Sequence, residues 1–154
     1  MSTTTPDTEL VITRIFNAPR EAVYRAFTDS DQIAAWFGPV GWSVPRDTIE
    51  QDVRVGGHQR FTMVSDADSS KASPVNATFV EVVENELLVA EERWEGVPGR
   101  QDGGVMQMRL EFHDQGDGTT RLVLRQGPYT AEIQKMADMG WESSFTKLDA
   151  LLAG

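Results

Sequence analysis

The residues with most chemical reach are three neighbours on one predicted strand, Glu91, Glu92 and Arg93, followed by Trp94 and Glu95. Successive strand side chains point to opposite faces, so either Glu91 with Arg93 or Glu92 with Trp94 is directed inward. A carboxylate or guanidinium set among apolar neighbours must be paired or must shift its pKa. Such a group suits the polar end of a ligand, or the transfer of a proton. The competing reading is a solvated strand edge with cross-strand ion pairs.

Other reactive groups give weaker signals. His58 and His113 are the only histidines and sit on different predicted strands, without the ligand spacing that a metal site needs. With no cysteine in the chain, disulfides, thiolate zinc sites and cysteine nucleophiles are excluded. No serine stands in a nucleophile-elbow context. Gly56-Gly57 lacks the following helix of a phosphate loop and reads as a hairpin turn. No cofactor and no metal are expected.

The larger signal is apolar. Trp36, Phe37, Trp42, Phe61, Phe79 and Trp94 form one part of an aromatic and methionine set. Met106, Met108, Met136, Trp141 and Phe145 complete it. Most such residues build a core in any fold. Here a subset is expected to line a cavity, since methionines adapt to variable occupants.

These residues need positioning elements. From Tyr129 to Leu152 apolar residues recur at steps of three and four, the signature of an amphipathic helix. About 24 residues of helix span roughly 36 Å, enough to cross a small sheet. Leu10 to Asn17 reads as a strand, with Pro19 opening a short helix. Thr28-Asp29-Ser30 stops that helix and can cap a second, whose inner face is Ile33, Trp36 and Phe37. Nearly everything from Val40 to Gln126 reads as strands, most clearly where Met106, Met108, Leu110 and Phe112 alternate with polar residues. Around Gly56-Gly57 a three-residue loop opposes Ile49 to Met63 and Val53 to Gln59, which keeps apolar residues on one face. Asn85-Glu86 makes a tight turn, and Gly127-Pro128 separates the sheet from the last helix. The expected fold is α+β: a curved antiparallel sheet of about six to seven strands around a long C-terminal helix, with a short helix pair after strand 1. Residues 1–8 are expected to be a frayed tail, and 9–154 one ligand-binding domain.

Composition bounds the partners. The formal net charge is −10, from 24 acidic and 14 basic side chains, and the arginines are scattered singly. That balance disfavours nucleic acid, whose binding depends on basic neutralisation. No apolar run approaches the ~20 residues of a membrane span, and no secretory signal opens the chain. No membrane partner is expected, and cytoplasmic is the default location. Exposed strand edges at Leu10 to Asn17 or near Glu95 leave a homodimer open.

Several fragments fall in a recognisable order. They are Arg14-Ile15-Phe16-Asn17-Ala18-Pro19, Asp29 through Trp36-Phe37-Gly38-Pro39, Asp52-Val53-Arg54-Val55-Gly56-Gly57 with Phe61 and Met63, and Gly140-Trp141 before Leu148. Together they resemble the START-related helix-grip superfamily (SRPBCC). Within it the chain is most similar to bacterial homologues of the activator of the ninety-kilodalton heat-shock protein ATPase. The resemblance implies a deep, mostly apolar cavity between the sheet and the last helix, but no single activity. A carrier or sensor of a small hydrophobic or aromatic molecule is the first expectation. A cyclase- or hydrolase-like enzyme acting on a polyketide or aromatic ring is the second, with Glu91 or Glu92 moving the proton and Arg93 stabilising charge. A co-chaperone-like interaction protein ranks last, because a chaperone partner is suggested by the family name alone.

Overall fold

The computed structural model describes residues 8–93 and 105–153. Its elements run in the order β1 (Thr8–Phe16), α1 (Arg20–Thr28), α2 (Ser30–Trp36), β2 (Trp42–Ser43), a 3-10 turn (Arg46–Thr48), β3 (Glu50–Gln51) and β4 (His58–Ser65). There follow β5 (Ala72–Val83), β6 (Leu87–Arg93), β7 (Val105–Asp114), β8 (Thr120–Tyr129) and α3 (Ala131–Ala153). The strands form one antiparallel sheet in the order β1-β8-β7-β6-β5-β4-β2, with β3 also pairing to β4. This is the helix-grip α+β architecture, with α3 lying in the concave face of the sheet and the α1–α2 pair closing one end.

Local chemistry explains the helix pair. Pro19, with no N–H to satisfy, stands just before α1, and its carbonyl accepts from Ala22 and Val23. Asp29 ends α1 and caps α2, its side chain accepting from the Gln32 N–H at 3.1 Å. The indole of Trp36 is fully buried and donates to the Ala26 carbonyl at 2.8 Å, tying α2 to α1.

The turn after β3 is longer than the expected three residues. Gln51 faces Gln59 and Glu50 faces Arg60, two positions away from the expected pairing of Val53 with Gln59 and Ile49 with Met63. The faces are unchanged, because a shift of two preserves the alternation. The glycines explain the difference. Gly56 N–H donates to the Phe79 carbonyl and Phe79 N–H to the Gly57 carbonyl, so both glycines continue the β4–β5 ladder. A Cβ on Gly57 would collide with the Asp52 carbonyl, which leaves that position to glycine.

The last helix begins two residues later than its apolar spacing indicates. Tyr129 pairs with Thr8 as the end of β8, and Gly127-Pro128 lies inside that strand rather than after it. Thr130 then accepts from the Ile133 N–H and starts the helix.

Along α3 the packing is uneven. In its C-terminal half Trp141, Ser144, Phe145 and Leu148 are buried. Phe145 meets Phe16 of β1 edge-on at 5.3 Å and stacks on Trp36 at 6.3 Å. In the N-terminal half the most inward residues, Ile133 and Ala137, are only partly covered, and Met136 is 71% exposed. Truncation should report this difference. Phe145→Ala is expected to cost about 3–5 kcal/mol in denaturant unfolding, and Met136→Ala less than about 0.5 kcal/mol.

Candidate functional site

Where α3 stands off the sheet there is a cavity of about 420 Å³. Its floor comes from inward residues of β4 to β8, and its roof from residues 133–144 of α3 together with Phe37, Gly38 and Pro39 after α2. Three rings shape one wall. Phe37 sits edge-on to Phe61 at 4.7 Å and to Trp141 at 5.5 Å. Met106, Met108 and Met63 supply flexible apolar surface beside them.

The expected aromatic set divides in two. Phe37, Phe61, Met106, Met108, Met136 and Trp141 line this cavity. Trp36 and Phe145 do not, because both are completely buried in the core that anchors α3. Phe79 is buried beside Leu88 and Leu110 around a much smaller void of about 10 Å³. Trp42 is half-buried near the sheet edge, where its carbonyl accepts from Lys147 at 3.1 Å. Trp94 lies outside the described residues, as does Glu95.

Alternation along β6 resolves the carboxylates. Leu88 and Ala90 face inward, so Glu92 does too, while Arg93 is exposed and is no part of the cavity wall. Glu91 borders the cavity, yet its carboxylate accepts from Gln107 of the neighbouring strand at 3.2 Å. Among the described residues, pairing of β5 with β6 ends at Thr78 and Glu91, whereas β6 and β7 stay paired out to Arg93 and Val105. Glu92 bridges the place where the two strands part, accepting from the Asn76 N–H at 3.0 Å. Burial holds its carboxyl above the usual glutamate range, an effect that the Asn76 bond partly offsets.

Sequence reasoning missed most of the polar wall. Tyr129 closes the cavity near Glu92, and its hydroxyl donates to the Met106 sulfur at 3.0 Å. Burial first, and the Glu92 charge second, push that phenol up, so it stays protonated. Gln126 accepts from the Trp141 indole at 2.8 Å, and Gln59 donates to the Phe27 carbonyl and to Gln51. These glutamines sit at inward positions of their strands, which is the signal that could have found them. Gly140 was singled out only as part of a family fragment. In the helix it leaves the roof open, since a Cβ there would meet nothing within 4 Å.

The two histidines lie elsewhere, each beside a glutamate: His58 with Glu50 at 3.4 Å and His113 with Glu111 at 2.9 Å. Among the described residues no three His, Cys, Asp or Glu side chains converge as a metal site would require.

The Glu92 environment predicts a pH signature. Between its unfolded and its higher folded pKa, the folded chain holds the extra proton, so this group's contribution to stability falls as pH rises. Glu92→Gln is therefore expected to melt above wild type at neutral pH. The gain should close below about pH 4, where both states carry the proton. Paired thermal melts across that range check it, and a gain undiminished in acid would contradict the assigned cause.

Known proteins share this architecture. A crystal structure from Chromobacterium violaceum superposes with a TM-score of 0.81 at 26% identity, over 95% of this chain and 97% of that one. The AHSA1 protein of Silicibacter pomeroyi superposes at 0.77 and 24% identity, over 95% and 98%. A Nitrosomonas europaea protein does so at 0.75 and 24%, over 94% of each chain. The last two speak to the fold alone. No curated protein matches the chain. The family described as Activator of Hsp90 ATPase homolog 1-like protein matches residues 17–153. With that match added to the gripped helix and its cavity, the chain belongs to this AHSA1 family of the SRPBCC helix-grip superfamily.

Proposed function

We propose that the chain binds a small hydrophobic or aromatic molecule between the sheet and α3, as a carrier or sensor. The observation that carries this reading is the cavity of about 420 Å³ walled by Phe37, Phe61, Trp141 and several methionines. That volume lies inside the roughly 300–1,000 Å³ range of small-molecule sites, which are typically apolar with a few placed polar groups. The methionines and the thinly packed half of α3 let the wall follow guests of different outline. An enzymatic reading in which Arg93 stabilises charge loses support, because that guanidinium is exposed and outside the cavity wall.

The fluorescent probe N-phenyl-1-naphthylamine tests this reading. It is expected to bind the wild type and to raise the melting temperature. Saturation at a hundredfold excess over Kd corresponds to about 2.7 kcal/mol of added stability. Gly140→Phe directs a ring into the open roof and is expected to abolish binding while the chain stays folded. Gly140→Ala is expected to keep binding and to add about 0.5–1 kcal/mol of stability, the usual helix gain. A wild type that neither binds the probe nor shifts its melting point would sink the proposal.

A further inference from the structure

Among the described residues of the cavity wall, the charged side chains are Glu91 and Glu92, and no lysine or arginine joins them. Of the cations beside Glu92, Arg93 is exposed and Arg60 donates to the Asn76 side chain at 3.2 Å; two others on surrounding elements are also engaged. Lys147 donates to the Trp42 carbonyl, and Arg14 is paired with Glu142 and Asp149 while lying over the Phe16 and Phe145 rings. Glu92 points inward at the gap between β5 and β6, with one bond from Asn76 on one of its oxygens. An ionised carboxylate in so apolar a setting is stabilised by an opposite charge and destabilised by a like one. The rings of Phe37, Phe61 and Trp141 add apolar surface for an organic body, and an aromatic face, though not its edge, attracts a cation.

We infer that the guest is an amphipathic amine, its aromatic or aliphatic body against the Phe37-Phe61-Trp141 wall and its ammonium on the Glu92 carboxylate. A guest carboxylate, as in a fatty acid, meets a like charge there with no lysine or arginine among the described wall residues to offset it. This rests on the cavity being the binding site, and it adds the sign of the guest's head group.

Three probes of nearly equal shape separate the two claims: 1-naphthylmethylamine, 1-naphthalenemethanol and 1-naphthoate. Each is titrated calorimetrically into the full chain at neutral pH and about 0.15 M salt, which screens general attraction to the acidic surface. The amine is expected to bind at least about tenfold tighter than the carboxylate, the scale of one charge-assisted hydrogen bond. Glu92→Gln should remove about tenfold of the amine's affinity and move the alcohol's by less than about threefold. Glu92→Asp, which keeps the charge, should retain the amine preference. If the alcohol binds and the carboxylate equals or beats the amine, the head-group inference falls and the cavity reading stands. An amine preference unchanged in Glu92→Gln also overturns it. If none of the three binds, the cavity reading itself fails. The wild-type comparison decides without any variant, should one of them not fold.

Discussion

Everything in this molecule depends on how α3 is fastened. Phe145, fully buried, contacts Phe16 on β1 and Trp36 on α2, while Leu148 is fully buried one helical turn further on. Outside that junction, Arg14 reaches from the edge strand to Glu142 and Asp149, which lie two turns apart on α3. These exposed ion pairs add little by themselves, so the aromatic junction carries the attachment. The other end of the helix is left without comparable contacts, and the cavity is the space beneath it.

That arrangement separates two tasks that share one helix. Buried aromatic area in the C-terminal half stabilises the fold, at roughly 25 cal/mol for each Å² removed from water. In the N-terminal half, Ile133, Ala137 and Gly140 keep their small or half-covered faces toward the void. Polar groups around that void are mostly engaged with the protein itself, as with Trp141 and Gln126. Glu92 is different in kind, because it is an ionisable group, its pKa raised by burial, where β5 and β6 diverge. Burial disfavours the ionised form of that partly covered carboxyl, so its charge weighs against stability.

Much of this was legible in the sequence, for identifiable reasons. The alternation of Met106, Met108, Leu110 and Phe112 fixed both the strand and its inward face, because a period of two has one interpretation. Helical spacing from Ile133 to Leu152 fixed α3. The start of α3 was not legible, since Tyr129 fits the helical stripe as well as it fits the end of β8. Only the Thr130 cap distinguishes the two. Loop length near Gly56-Gly57 escaped for a similar reason. Intended faces constrain parity, whereas the bonds from these glycines to Phe79 are contacts between distant parts of the chain. The division between lining and filling residues was hidden altogether. Trp36 and Trp141 are alike in type and pattern, and only the tertiary path of α3 makes one a core ring and the other a wall.

The gap where β5 and β6 part has a consequence of its own. A closed ladder would seal the floor beneath the helix with backbone bonds that no guest could displace. Here the seam is laced by a side chain, the carboxylate of Glu92 holding the amide of Asn76. A side-chain latch can trade partners by rotating a few bonds, at far lower cost than unzipping strands. Among the described residues, exchanging that contact leaves the paired parts of both ladders intact.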